Sequence, residues 1–259
     1  MKNSKTTAAS AMQNTISLAE YLKLTSVSQR LPEIIDRAQK QNISYTQLVS
    51  EIFKSELDAR MEKRVTRSLK RSKIGTVEDL DTFDFSIRPQ LHMHIIKELC
   101  ECRFIEEKRN IICLGKPGLG KTRIAKSIAR AACLAGHSVL FVNTAKMLED
   151  IYGSKADGTY TKAMQRYTKP ALLIADEFGY EPFDNNANKF LFRLVSARHR
   201  TGSIIITSNT GFSRWKNLFS SEASAASTID RLVDQATILR FTGQSCRKVD
   251  KVYGAKLED

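Results

Sequence analysis

One tryptophan, five prolines and five cysteines stand in a chain of 259 residues, and each scarcity excludes something. Cys100, Cys102, Cys113, Cys133 and Cys246 are odd in number and match no zinc spacing, so neither a disulfide framework nor a zinc module is expected. Cys113 and Cys133 lie among apolar residues, as small core hydrophobes do. Cys100 and Cys102, like His92 and His94, are two apart and do not face each other on a helix. No run of about 18 apolar residues occurs, which excludes a helical membrane span. Met1 to Asn14 is polar and small, without the apolar centre of a secretory signal, and a cytoplasmic protein with reduced thiols is expected. Acidic residues are also scarce: 28 Asp and Glu against 41 Lys and Arg leave a formal net charge of +13. A surplus of that size favours a polyanionic partner, here a nucleic acid, over a small metabolite.

What is present falls into two parts. Residues 1–17 read as a flexible tail and 18–74 as a small all-helical domain. Leu18, Tyr21, Leu22 and Leu24 open an apolar stripe, and Pro32 suits a first helical turn ahead of Ile34, Ile35 and Ala38. Ser44 and Gln47 form a capping box for a helix whose apolar face is Leu48, Val49, Ile52, Phe53 and Leu57. That helix runs on into a basic stretch. Arg60, Arg64, Arg67 and Arg71 recur at helical spacing and share one side of the helix, flanked by Lys63, Lys70 and Lys73. With acidic neighbours nearly absent, Glu62 excepted, the stripe is a candidate for nucleic-acid phosphates; the ordinary alternative is a solvated face. Gly75 ends the helix, 75–90 reads as an extended linker carrying Phe83-Asp84-Phe85, and the main domain occupies 91–250 ahead of a tail, 251–259.

In the main domain short apolar runs alternate with helical patterns. Strands are expected at 111–114, 139–143, 171–175, 203–207 and 236–241, and helices at about 121–135, 145–152, 159–167, 187–200 and 226–234. Strands separated by helices make a parallel sheet covered on both faces.

Three segments carry chemistry. Gly115-Lys116-Pro117-Gly118-Leu119-Gly120-Lys121-Thr122 fits the phosphate-binding loop completely, between a strand and a helix, with Arg123 following. Gly118 and Gly120 let the backbone turn its N–H groups toward phosphate oxygens, and the helix start adds its dipole. Lys121 supplies a charge for the β- and γ-phosphates of ATP, and the Thr122 hydroxyl is a ligand for Mg²⁺. The second segment, Ala171 to Glu177, is an apolar strand ending in two carboxylates, with Asp176 for the metal and Glu177 to activate water. The third, Ile204 to Asn209, is a β-branched strand whose Asn209 can reach the γ-phosphate or the attacking water. Arg231 and Arg247 could each stabilise charge on the γ-phosphoryl, although on the residues alone each is an ordinary surface arginine.

The ordered set TFDF (82–85), GKPGLGKT, ADEFGYEPF, IIITSNTGFSRW, TIDRL and GQSCR resembles the IstB family. These are ATP-binding helper proteins of insertion sequences, related to DnaC-type helicase loaders within the AAA+ group, and the resemblance runs from Leu18 to Arg247. It implies a P-loop, three-layer αβα fold with a five-stranded parallel sheet of order 5-1-4-3-2. Asn209 then lies between Lys121 and Asp176 as sensor 1, Arg231 is a finger acting on a neighbouring subunit, and Arg247 is the sensor-2 arginine. It further implies ATP hydrolysis with Mg²⁺, self-association, ATP-dependent assembly on duplex DNA through the helical N-terminal region, and recruitment of a DDE-type transposase. Three positions depart from the family pattern: Ala175 and Phe178 replace aliphatic residues, and Cys246 stands where tyrosine is common beside Arg247. A DnaC-like replicative helicase loader is the alternative with the same core, although the N-terminal region lacks a metal-binding cysteine cluster. A non-hydrolysing scaffold conflicts with intact Glu177 and Asn209, and a small-molecule kinase with the charge of +13.

Overall fold

The computed structural model describes residues 2–88, 90–180, 182–243 and 245. It divides into two units, residues 1–67 and 68–259.

The first unit is helical: α1 (Lys2–Tyr21), α2 (Thr25–Gln41) and most of α3 (Tyr45–Ser72). Of the segment expected as a tail, 1–17, the described residues 2–17 lie in α1. Met12, Ile16 and Ala19 recur at helical spacing there and pack with Val27 and Leu31, so the apolar stripe begins earlier than Leu18. Pro32 sits inside α2 instead of its first turn, because the helix already begins at Thr25; its ring has no N–H for the carbonyl four residues back. The capping box stands as expected: the Ser44 N–H donates to Gln47 Oε1 (3.0 Å) and the Gln47 N–H to Ser44 Oγ (3.3 Å).

The N-terminus of α2 is capped from another helix. Buried Glu56 of α3 accepts the N–H groups of Ser26 (2.8 Å) and Val27 (3.3 Å) and pairs with Arg60 (2.8 Å), which also donates to the Lys23 carbonyl (3.1 Å). A carboxylate there satisfies two orphan donors and meets the positive end of the helix dipole. Burial works against the charged form of Glu56, but the Arg60 and backbone hydrogen bonds together hold its pKa below the ordinary value. The apolar face expected on α3 is only partly covered. Ile52 packs into the small core, whereas Val49, Phe53 and Leu57 are about half exposed or more.

The second unit holds the end of α3, α4 (Met93–Cys100), α5 (Arg103–Glu106), β1 (Ile111–Gly115), α6 (Lys121–Leu134), β2 (Val139–Asn143), α7 (Thr144–Ala156), α8 (Tyr160–Thr168), β3 (Leu172–Asp176), α9 (Asn185–Arg198), β4 (Ser203–Ser208), α10 (Phe212–Trp215), α11 (Glu222–Val233) and β5 (Thr237–Phe241). The strands pair in parallel in the order β2-β3-β4-β1-β5, the expected 5-1-4-3-2. Successive strand residues point to opposite faces. Ile111, Cys113, Leu172, Ile174 and Ile205 face the core shared with α4, α5 and α6, while Ile112, Leu114, Leu173, Ala175, Ile204 and Ile206 face the core under α7, α9 and α11. Each fully buried Ile or Leu contributes about 2 kcal/mol. Burial pushes the Cys113 thiol up to about 12, which keeps it an inert core residue. No helix among the described residues is long and apolar enough to cross a membrane.

Within the stretch expected as a linker, 75–90, Phe83 and Arg88 are packed. Phe83 is buried in the α6-side core, and buried Arg88 donates to the Leu119 carbonyl (3.4 Å). Apolar Phe83 and Phe85, in edge contact at 4.8 Å, give this segment a reason to fold back onto the sheet domain.

Candidate active site

At the carboxyl end of the sheet, β1 gives way to the loop 116–120 and then to α6. Gly118 and Gly120 have φ of 76° and 91°, a region open to glycine at little cost. Close contact is the second constraint: a Cβ on Gly120 would lie 2.5 Å from the Phe83 ring. The first turn of α6 therefore presents its N–H groups across a bare glycine backbone, a ready anion site. Lys121 is folded over this loop, its Nζ donating to the carbonyls of Gly115 (2.6 Å) and Lys116 (2.7 Å).

Strand order brings the other segments alongside. β4 lies between β1 and β3, so the ends carrying Gly115, Ser208-Asn209 and Asp176 stand side by side. Asp176 Oδ1 accepts the Thr122 hydroxyl at 2.9 Å and the Thr207 hydroxyl at 2.5 Å. Thr207 Oγ1 in turn accepts the Glu177 N–H (3.0 Å), and the Thr144 hydroxyl donates to the Asp176 carbonyl (2.9 Å). A nearly buried carboxylate beside a threonine hydroxyl is a hard-oxygen donor pair that fits Mg²⁺. Among the described residues no cluster of three or more His, Cys, Asp or Glu offers a metal site.

Glu177 is exposed, with φ of 57°. That left-handed conformation costs a non-glycine residue about 1–2 kcal/mol and is held by the Thr207 bond. Its Oε2 accepts Asn143 Nδ2 at 2.7 Å. Asn143 Oδ1 meanwhile caps α7 through the N–H groups of Ala145 (3.0 Å) and Lys146 (3.3 Å), so the amide is oriented by the helix start it serves. Neither Asn143 nor Thr207 stood out in the sequence. An asparagine immediately before a helix, on a strand in register with Asp176, was the available signal.

Asn209 is half-buried at the end of β4. The loop behind it is pinned by Trp215, whose Nε1 donates to Ser208 Oγ and the Thr210 carbonyl, both at 3.2 Å. Phe178, a departure from the family pattern, packs on Trp215 at 4.7 Å and Phe183 at 5.3 Å, and Ala175 is buried in the same core.

The arginines distribute differently. Arg123, expected with the phosphates, pairs with Glu78 at 2.9 Å, donates to the Asp79 carbonyl (3.0 Å) and to Thr82 Oγ1, and lies 5.4 Å over the Phe83 ring. Its guanidinium holds the 78–83 segment; what remains for the phosphate side is its place in the first turn of α6. Arg231 is in the last turn of α11, just before β5, donates to the Ser227 carbonyl (3.0 Å) and hydroxyl, and lies 4.9 Å over the Phe192 ring. It comes just before the amino end of β5, whereas Asp176 closes the carboxyl end of β3 in the same parallel sheet. Arg247 lies outside the described residues. On α3, Lys63, Arg64, Arg67, Lys70 and Arg71 are exposed, whereas Arg60 belongs to the α2 cap.

A family model described as IstB-like ATP binding protein matches residues 17–253. A relative from insertion sequence IS21 of Pseudomonas aeruginosa is 30% identical over 234 residues, 90% of this chain and 88% of that one. Another, from insertion sequence IS232 of Bacillus thuringiensis subsp. berliner, is 32% identical over 231 residues, 89% of this chain and 92% of that one. Among solved structures, the DnaC helicase loader has a TM-score of 0.52 and 16% identity, covering 68% of this chain and 99% of that one. DnaI has a TM-score of 0.52 and 20% identity, covering 65% and 92%. At these identities the likeness is one of fold.

Proposed function

We propose that this chain, which belongs to the family of IstB-like ATP binding proteins, is a cytoplasmic ATPase that assembles on duplex DNA and serves an insertion-sequence transposase of the DDE type. The observation that carries the ATPase reading is the Thr122–Asp176 contact at 2.9 Å, which joins the phosphate loop to the acidic strand end in one donor set.

The roles follow from chemistry. The N–H groups of the 115–122 loop and the start of α6 bind the β- and γ-phosphates. Lys121 leaves its loop carbonyls for the phosphate oxygens, a stronger charge-assisted partner. Thr122 and Asp176 hold Mg²⁺, which when bound neutralises charge on the phosphates. Glu177 takes the proton of the water that attacks the γ-phosphorus as the bond to the bridging oxygen breaks, giving ADP and phosphate. Asn143 orients the Glu177 carboxylate through Oε2 and Thr207 fixes its backbone. Asn209 orients the water or the γ-phosphoryl group.

Arg231, remote from its own Asp176, is assigned to the site of a neighbouring subunit, which makes the complete site a property of the oligomer. Arg247 is assigned the sensor-2 role. Residues 18–74 bind DNA and partners, with Lys63, Arg64, Arg67, Lys70 and Arg71 neutralising duplex phosphates. Arg60 serves the helix cap instead. Summed over subunits, such contacts give avidity and a steep salt dependence.

Measuring ATP turnover with and without duplex DNA across a salt series tests the scheme: DNA raises turnover, and the gain fades as salt rises. Turnover indifferent to DNA at every salt concentration contradicts it. The likeness to the DnaC loader fold supports a second reading, a helicase loader. Capture of a replicative helicase instead of the transposase in parallel pull-downs would establish that reading.

A further inference from the structure

A cleft of about 510 Å³ opens beside Glu177, walled by α7 and by residues of 177–180 and 182–190. Aromatic faces line it. Tyr152 and Phe190 meet edge to face at 6.4 Å, and Tyr180, 75% exposed, stands at the rim. Among the described residues, three carboxylates, Glu149, Glu177 and Asp184, share the lining, and no lysine or arginine does. In a chain with a net charge of +13, the charged side chains in the described lining of this hollow are all acidic.

That combination selects its occupant. Carboxylates repel a phosphate backbone, and aromatic faces with carboxylates between them attract a cation on an apolar stem. Lys155 already displays the attraction, its Nζ 4.7 Å over the Phe190 ring. The volume is within the range of ligand sites and exceeds the needs of one side chain, so a short segment fits better than a lone ion. Asp184 is partly engaged, accepting the Ala187 N–H at 2.6 Å as the cap of α9. Glu149 and Glu177 are the carboxylates a guest would meet.

We infer that the cleft binds an arginine or lysine presented on a short apolar segment of a protein partner, and that the guest competes with Asn143 for the Glu177 carboxylate. Glu177 Oε2 now accepts Asn143 Nδ2 at 2.7 Å. A guanidinium is the stronger donor to a carboxylate, and a carboxylate drawn toward the cleft leaves the orientation that Asn143 gives it. Occupation therefore slows ATP turnover and prolongs the ATP-bound state while the partner is docked. The binding step stands on the cleft alone; the slowing rests on the proposed role of Glu177.

The test uses the full chain and a fluorescein-labelled hexapeptide of alternating arginine and leucine, read by anisotropy at about 0.1 M salt. Its glutamate–leucine counterpart and a labelled oligothymidine serve as controls. The basic peptide binds saturably, the acidic one does not, and the double variant Glu149→Gln/Tyr180→Ser, at unchanged melting temperature, weakens binding roughly tenfold. Unlabelled basic peptide slows turnover of the parent chain and has at least tenfold less effect on the double variant. Equal affinity for parent and double variant overturns the site, as does oligothymidine displacing the peptide from the parent chain only. Peptide bound in the cleft with turnover unchanged overturns the competition for Glu177. Anisotropy needs no ATP, so a chain that fails to hydrolyse ATP still reports on the cleft, and the two readings fail separately.

Discussion

Residues 68–259 bury both faces of a five-stranded sheet, whereas residues 1–67 bury a handful of side chains and leave Tyr21, Val49, Phe53 and Leu57 in solvent. A sheet forces closure, because each strand carries side chains on two faces and both must be covered. Three helices make no such demand: each needs one covered stripe, and part of a stripe is left over. The larger unit is held by apolar area, and its polar groups are free to form a site. In the smaller unit a buried carboxylate, Glu56, is part of what fixes the helices. Chemistry and framework are separable in the first case and merged in the second.

The sharpest way to break this comparison is Glu177→Gln. The amide keeps the contact to Asn143 and loses the charge, so turnover falls on the order of a hundredfold or more with ATP affinity and melting temperature unchanged. Steady-state hydrolysis beside equilibrium nucleotide binding reads both, and undiminished turnover removes Glu177 from the mechanism.

Gly120→Ala comes next. A Cβ there meets the Phe83 ring at φ of 91°, and the variant loses about 2–4 kcal/mol of stability together with nucleotide binding. Denaturant unfolding measures the first. A neutral effect would mean that Phe83 yields easily, and that 75–90 is the loose linker its sequence resembles.

Glu56→Gln sharpens the other side of the comparison. Removing a charged acceptor that serves two backbone donors costs about 2 kcal/mol and leaves turnover in the absence of DNA intact, with faster amide exchange at Ser26 and Val27. The pH dependence has a definite sign. The folded pKa of Glu56 lies below its ordinary value of 4.5, so its contribution is complete above about pH 4.5 and disappears as pH falls through the lowered folded value. Exchange at Ser26 and Val27 that does not quicken, beyond its intrinsic rate, on acidification through that range would contradict the cap. The smallest effect belongs to Phe53→Ser. At 63% exposure the ring contributes little to the fold, and stability changes by no more than about 0.5 kcal/mol; a loss comparable to a core truncation would show that this face is covered.

Much of the larger unit was legible because its signals are local. All five strands and the longer helices between them, though not the short α10, lie within a few residues of the positions read from period and length, and the loop 115–122 announced itself through glycines whose spacing backbone geometry demands. Partnerships that cross the sequence were not legible. Thr207 bridging Asp176 and Glu177 depends on β4 lying beside β3, and Arg123 turns to Glu78 and Thr82 because Phe83 folds back onto the first turn of α6. The helix over residues 2–21 was missed for a different reason: its few apolar residues are spread among small polar ones, and Met12 and Ile16 gain weight only once Val27 and Leu31 are known to face them. Arg60 belonged by spacing to the basic stripe and by contact to the Glu56 cap, and spacing alone cannot separate the two.

Equilibrium binding of Mg·ATP to the parent chain and to Lys121→Ala decides whether the 115–122 loop is a nucleotide site. The parent chain is expected to bind saturably and with Mg dependence, and the variant roughly a hundredfold or more weaker at unchanged thermal stability. Equal affinity in the two, or no affinity in either, would contradict a nucleotide site there.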